Sequence, residues 1–409
     1  MEIKERINCL QKLMKENDIQ AYIIPTDDFH SSEYVGDYFK CREYMSGFTG
    51  SAGTLVVLEE RAYLWTDGRY FLQADKQLEK TGIVLMKSGQ PHVPIIEKFL
   101  KRELKEGDTI GFDGRTISKN FADKLLEEIK GKNIKFKGNI DLVNIIWRNR
   151  PKISKEPVWQ LDIKYAGISR KEKMKKVREK MEEVGADVFI DAALDEIAWL
   201  LNLRGNDIAY TPVFLSYMII REGMAILCIH REVVSEKIKD ELKKDGIEIA
   251  EYEEIYKLAD EISDKEKVLY DSSSINYNLY DSINKNATII NRESPIALMK
   301  AMKNPVEVEN IKRAHIKDGV TMCKFIYWLK KNVPLGNVSE ISAAEKLVEF
   351  RAQMDGFLDQ SFSPIFGYGE HGAIIHYSAT EETNVVMKDK GLCLIDTGAH
   401  YYDGTTDVT

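Results

Sequence analysis

One order of features occurs twice in this chain, and the repetition limits the folds open to it. In the first copy Ile3, Ile7, Leu10, Leu13 and Met14 are apolar at steps of three and four, the spacing of one helix face. Ala21-Tyr-Ile-Ile24 then reads as a buried strand ending at Pro25, and Gly47 and Gly50 close the copy. In the second, Met174, Val177, Met181 and Val184 mark a helix before Gly185. Ala186-Asp-Val-Phe-Ile190 reads as a strand, and Leu194 to Gly205 as a helix closed by Gly205. Two copies of one α/β domain are the expectation. A chain of 409 residues also exceeds one ordinary core.

Within the first copy Thr26 to His30 reads as a polar loop. Gly47-Phe-Thr-Gly-Ser-Ala-Gly53 reads as a tight turn into a strand from Thr54 to Leu58. It lacks the G-K-[ST] ending and the G-x-G-x-x-G spacing of a phosphate cradle. Arg61 to Tyr70 supplies a second strand and an Asp67-Gly68 turn, and a helix follows through Phe71, Leu72 and Ala74. Arg148 to Pro157 is polar and basic with two prolines, which suits a linker. Met218 to Ile229 reads as a hairpin turning at Arg221–Gly223. Asn291 to Pro295 and Asn304-Pro305 bracket a further boundary. The expected domains are therefore 1–153, 154–298 and 299–409. In the third, a long helix runs from Pro305 to just before Pro334. Ser342-Ala-Ala-Glu345 reads as the capping box of another helix, with Ser339 a competing cap. From Phe362 to Thr409 the pattern turns to strands.

Composition narrows the function. A net charge of -8 argues against a general nucleic-acid binder. No run of 18 apolar residues suggests a membrane span. The first residues are charged and helix-patterned, without a signal-peptide apolar core, so a cytoplasmic location is expected. The five cysteines are scattered with no C-x-x-C pair. Cys228 and Cys393, set in apolar runs, read as buried free thiols.

The residues that carry chemistry lie near Thr409. The apolar run Leu392–Ile395 drives into Asp396, and Asp407 follows eleven residues later across a hairpin. On paired strands, positions whose numbers sum to an odd value share a face when the turn is even, so both carboxylates can point one way. Register is the difficulty. A turn at Asp403-Gly404 leaves Asp396 four residues from Asp407's partner, roughly 13 Å along the strand. A turn at Tyr401-Tyr402 sets the two opposite each other. A longer loop or a bulge is therefore expected. Both readings of the pair stay open, as metal ligands or as strand-end and turn residues. His376 follows Ala-Ile-Ile; in a buried strand it would be a wall histidine, or else a proton-shuttling group, since imidazole titrates near neutrality. His371 reads as a solvent or loop residue. Arg69, after the Asp67-Gly68 turn, could serve a peptide carboxylate or an interface, or simply pair with Asp67.

Several stretches in order carry a resemblance: Gly47 to Thr54, Trp65-Thr-Asp-Gly-Arg-Tyr-Phe71, Ala193 to Trp199, Asn202-Leu-Arg-Gly205, Arg313-Ala-His-Ile-Lys-Asp318, Gly372-Ala-Ile-Ile-His-Tyr377, Glu382-Thr-Asn384 and Leu394 to Thr409. Over its whole length the chain resembles Xaa-Pro aminopeptidase, also called aminopeptidase P, of the three-domain cytosolic type. The resemblance implies an α/β fold with two creatinase-type N-terminal domains, followed by the first part of a pita-bread α+β catalytic domain. It implies a manganese-dependent metallo-aminopeptidase, a proline-specific hydrolase that removes the residue before proline through a metal-bridged hydroxide. Two divalent ions are implied, most often Mn²⁺, with Zn²⁺ or Co²⁺ as substitutes. By the family's pattern Asp396 chelates one ion, Asp407 bridges both, and His376 shuttles the proton; a further histidine and two glutamates have no counterparts here. Peptides with proline second are the implied substrates, and a homodimer the implied assembly, with no nucleic-acid or membrane partner. With two of five ligands the chain reads as a fragment, expected to be inactive alone. A prolidase remains an alternative, although prolidases carry one such N-terminal domain. A non-catalytic binding module is the other, although such relatives lose the metal carboxylates.

Overall fold

Both copies of the repeat fold as six-stranded mixed sheets of one topology, in a computed structural model that describes residues 1–409. The first sheet holds β1 (Ala21–Pro25), β2 (Thr54–Leu58), β3 (Ala62–Thr66), β4 (Ile83–Lys87), β5 (Thr109–Phe112) and β6 (Lys135–Lys137), in the order β4-β3-β2-β1-β5-β6. The second holds β7 (Val188–Asp191), β8 (Ser216–Arg221), β9 (Ala225–Ile229), β10 (Ile247–Ala250), β11 (Lys267–Tyr270) and β12 (Thr288–Asn291), in the order β10-β9-β8-β7-β11-β12. In each, three consecutive strands pair antiparallel and the outer partners run parallel.

The central strands are buried on both faces. On β1, Tyr22 and Ile24 pack into the core beneath α1 (Ile3–Glu16), while Ala21 and Ile23 face the opposite core under α2 (Lys119–Ile129). Helices on both faces explain why β1 and β7 read as apolar runs rather than as alternating patterns. α3 (Arg170–Glu183) and α4 (Leu194–Leu201) repeat the role of α1 and its neighbours. α4 ends earlier than expected. Asn202 closes it at a φ of 52°, and Gly205 is needed instead where Phe214 and Val213 approach its backbone.

Chain contacts divide the residues into two units, Met1–Trp159 with Arg170–Ile208 and Pro212–Lys300, and Gln160–Ser169 with Ala209–Thr211 and Ala301–Thr409. Within the first unit the two sheets are joined by backbone hydrogen bonds, Lys119 N–H to Ile275 O at 2.9 Å and Tyr277 N–H to Ile117 O at 2.7 Å. The expected polar loop Thr26–His30 is a loop, and a largely buried one. Asp28, Phe29 and His30 are buried, with His30 Nδ1 2.9 Å from Ala192 O and Nε2 2.6 Å from the Tyr252 hydroxyl. A short loop between two packed sheets has no access to water, so His30 and Asp28 Oδ1, which accepts the His30 and Ser32 amides at 2.8 and 3.0 Å, turn to protein partners, while Asp28 Oδ2 is left without one.

In the second unit α5 (Pro305–Asn332) begins at an Asn304 cap whose side chain accepts the Val306 and Glu307 amides, with Pro305 at the first helical position. α6 (Glu340–Ala352) is capped by Ser339, not by the expected Ser342 box; Ser339 Oγ accepts the Ser342 amide at 3.2 Å. β13 (Phe357–Gln360), β14 (Ile365–Tyr368), β15 (Cys393–Asp396), β16 (Ala399–Tyr401) and β17 (Gly404–Thr405) form two small sheets, β13-β16-β17 and β14-β15. Residues 369–392 hold a 3-10 turn and loops rather than the strands expected there.

Candidate active site

β15 delivers Asp396 to the end of its pairing with β14, where Asp396 lies opposite Ile365. Beyond it the chain forms a hairpin. Thr397 exchanges both backbone hydrogen bonds with Val408, at 3.0 and 2.9 Å, and His400 and Tyr401 pair with Thr405 and Gly404. The turn is two residues, Tyr402-Asp403, and the register runs without a bulge. The expected longer loop or bulge is therefore wrong. Asp407 falls opposite Gly398, two residues from Asp396 on the same face, a diagonal offset of about 7 Å. The shared face follows the parity of the spacing; the register is set by packing.

α5 sets that register. Gly404 runs against it, where a β-carbon would lie 3.1 Å from Ile311 Cγ1 and 3.4 Å from its Cα. Asp403, in the turn, pairs with Lys317 and with Arg313 at 3.5 Å, and Tyr402 stacks on Tyr165 at 5.6 Å. The glycine thus serves close approach to the helix, not the turn itself. Gly398 is constrained in the same way: a β-carbon there would come within 2.1 Å of Thr406 O and of Ser361 Oγ.

Behind the hairpin lies a fully buried charged pair that sequence reasoning missed. Asp318 accepts from Arg351 at both oxygens, from the Thr406 hydroxyl at 2.8 Å and from the Tyr401 hydroxyl at 3.2 Å. Arg351 Nη1 donates to Thr397 Oγ1 at 2.6 Å and to Gly398 O at 2.9 Å. The pair therefore holds the residues next to Asp396 and Asp407. A signal for Asp318 exists in the sequence. It stands at helical spacing with Ala314, Thr321 and Phe325 on the buried face of α5.

Asp396 is half-buried and accepts the Thr409 hydroxyl at 2.9 Å, while Asp407 is exposed. As hard oxygen donors on one face they suit Mn²⁺ and related divalent ions. No three His, Cys, Asp or Glu side chains converge on a metal-sized site in the chain, and Asp396 and Asp407 would supply two oxygen donors. The nearby Cys393 offers no thiolate at neutral pH, because burial pushes its pKa up to about 11. It is half-buried rather than buried as expected, whereas Cys228 is fully buried.

His376 is not on a buried strand. It lies exposed in a turn after the 3-10 segment Gly369–Ala373, at a φ of 55°. That segment follows β14, the strand paired with the one carrying Asp396. His371 is not a solvent residue: it is half-buried, its Nδ1 2.9 Å from a carboxyl oxygen of Glu340, which is wholly buried. Nothing in the local sequence marks Glu340, since its partners come from residues 368 to 385. Arg69 belongs to the other unit and grips Asp67 with Nε and Nη2, both at 2.8 Å.

Known proteins share this arrangement of domains. Two family models described as the creatinase/prolidase N-terminal domain match residues 6–146 and 149–307, and the metallopeptidase family M24 model matches 309–409. The chain is 36% identical to aminopeptidase P2 of Arabidopsis thaliana and 37% identical to Xaa-Pro aminopeptidase 1 of Dictyostelium discoideum. All of this chain is covered in both, against 62% and 66% of the relatives' lengths, so the chain spans about two thirds or less of either. The crystal structure of an X-prolyl aminopeptidase from Caenorhabditis elegans, described as a cytosolic enzyme with a di-nuclear active site, superposes with a TM-score of 0.93 at 32% identity. The match covers 100% of this chain and 69% of that one.

Proposed function

The chain belongs to the Xaa-Pro aminopeptidase family, two creatinase-type domains followed by an M24 metallopeptidase region, and from that premise we propose that it works in removing an N-terminal residue that precedes proline. The observation that carries the proposal is the placing of Asp396 and Asp407 on one face of a tight hairpin, braced from behind by Asp318 and Arg351. Two divalent ions, most suitably Mn²⁺, would be held there in part by these carboxylates, and would polarise the scissile carbonyl and activate water.

Asp396 is proposed to chelate one ion and Asp407 to bridge the two. His376, on its exposed turn, is the group proposed to hand over or accept the proton as charge develops on the carbonyl oxygen. Proline's tertiary amide offers no N–H, so recognition must fall on ring shape and on the free amino group ahead of it. Arg69 is not given a substrate role, because its fork is committed to Asp67. The proposed working form is a cytosolic homodimer, in line with the cytosolic relative. No helix here is long and apolar enough to cross a membrane.

Mn²⁺ titration followed by electron paramagnetic resonance tests the metal half. Asp396→Asn and Asp407→Asn should each weaken binding, while Asp389→Asn, on an exposed loop, should not. Mn²⁺ binding indifferent to both substitutions would favour the non-catalytic module. With two of five family ligands this chain alone is proposed to be inactive; manganese-dependent release of X from X-Pro-peptides by it, absent with X-Ala-peptides, would overturn that and carry the catalytic half directly, and cleavage confined to X-Pro dipeptides would indicate a prolidase.

A further inference from the structure

We propose that Glu340 is a positioning residue for His376, its buried carboxyl pinning both ends of the turn from His371 to Tyr377. For its catalytic consequence this rests on the role given to His376 above; the structural claim stands by itself.

Glu340 is wholly buried at the first position of α6. Its Oε1 accepts the Tyr368 amide at 2.8 Å and lies 2.9 Å from His371 Nδ1. Its Oε2 lies 3.1 Å from His371 Nδ1, and accepts the Tyr377 hydroxyl at 3.1 Å and the Val385 amide at 3.4 Å. The His371 and Tyr377 rings stack with centroids 4.4 Å apart. One carboxyl therefore gathers the end of β14, both ends of the turn and the strand-like segment that returns beside α6. Between the two anchored ring residues, His376 sits in the left-handed region, which its β-carbon disfavours. Such a conformation persists only where its surroundings over-determine it. His371 and Tyr377 supply that constraint through Glu340, and the imidazole of His376 is thereby presented outward from a fixed backbone rather than from a mobile loop. Tyr377 is buried while its neighbour His376 is exposed, which is the geometry of an anchor beside a presented group.

The test uses the 409-residue chain, with amide hydrogen exchange and ¹H–¹⁵N spectra of the histidine rings. Glu340→Gln and His371→Leu should each speed exchange of residues 369–377 by about tenfold or more. Both should shift the His376 ring signal, while the amides of α5 keep their protection. His371→Asn, whose Nδ2 can donate from the place of Nδ1, should restore both readings. Wherever manganese-loaded protein hydrolyses an X-Pro peptide, the same two disruptive variants should lower kcat with KM unchanged. If the wild type hydrolyses no X-Pro peptide, as its two of five family ligands lead one to expect, the exchange result and the ring signal still decide this one. Wild-type protection of 369–377 together with an unmoved His376 ring signal in both disruptive variants would overturn it. Should Glu340→Gln fail to fold, His371→Leu, at a partly exposed site, carries the test.

Discussion

Arg351 and Asp318 face each other as a bidentate ion pair sealed from solvent, Nε to Oδ1 at 2.9 Å and Nη2 to Oδ2 at 3.1 Å. Each partner makes further bonds. Arg351 reaches Thr397 and Gly398 beside Asp396, and Asp318 reaches Thr406 beside Asp407. The pair thus couples α5 and α6 to both arms of the carboxylate hairpin. Such a pair is weak grounds for expecting high stability, because desolvation offsets much of its attraction. Its geometric role is stronger: it fixes the hairpin where the carboxylates emerge.

Breaking the pair should therefore be costly. Arg351→Met leaves the Asp318 carboxyl buried with its charge partner gone, and should destabilise the second unit by about 3–5 kcal/mol. Adding Asp318→Leu removes the stranded charge, so the double variant should lose less than the sum of the two singles. Urea unfolding of the three variants reads this directly. Additive losses would mean that the two side chains act independently.

Two glycines give opposite expectations. Gly398→Ala places a methyl 2.1 Å from the Thr406 carbonyl, which is backbone and cannot swing aside. The hairpin must open, with lower stability and weaker Mn²⁺ binding. A β-carbon at Gly319, inside α5, would meet no atom within 4 Å, so Gly319→Ala should stabilise by about 0.5–1 kcal/mol through helix propensity. A neutral Gly398→Ala, by melting temperature and Mn²⁺ titration, would contradict the close approach.

How far the sequence could be read depended on range. The repeat was legible because period and strand burial are local: β1 and β7 are apolar runs in matching places, and their sheets share one strand order. The common face of Asp396 and Asp407 was legible because parity survives any even turn. Their register was not, since Ile311 of α5 and Gly404 decide it from far apart in the chain. Glu340 was illegible for the same reason, its partners lying between residues 368 and 385. Asp318 was the avoidable omission, a carboxylate on an apolar helix face.

The last expectation concerns pH. Glu196 on α4 is 8% exposed, near Asp271 and Glu293, and its Oε2 accepts the Ser294 hydroxyl. Burial first, and then the two acids, outweigh the Ser294 bond and raise its pKa from 4.5 to about 7. Between those values the folded chain keeps a proton that the unfolded chain releases. The contribution to stability is thus full below about 4.5 and is lost as pH rises through about 7. Glu196→Gln keeps an oxygen for Ser294 and carries no charge. The variant should match the wild type near pH 5 and be more stable near pH 8, by on the order of 1–3 kcal/mol. His30 works in the opposite sense, since burial lowers its pKa from 6.5 and its share is lost on acidification. The difference between variant and wild type cancels that share. Melting curves of both proteins across this range check it, and a difference that does not change with pH would show that Glu196 is ionised throughout in the folded chain.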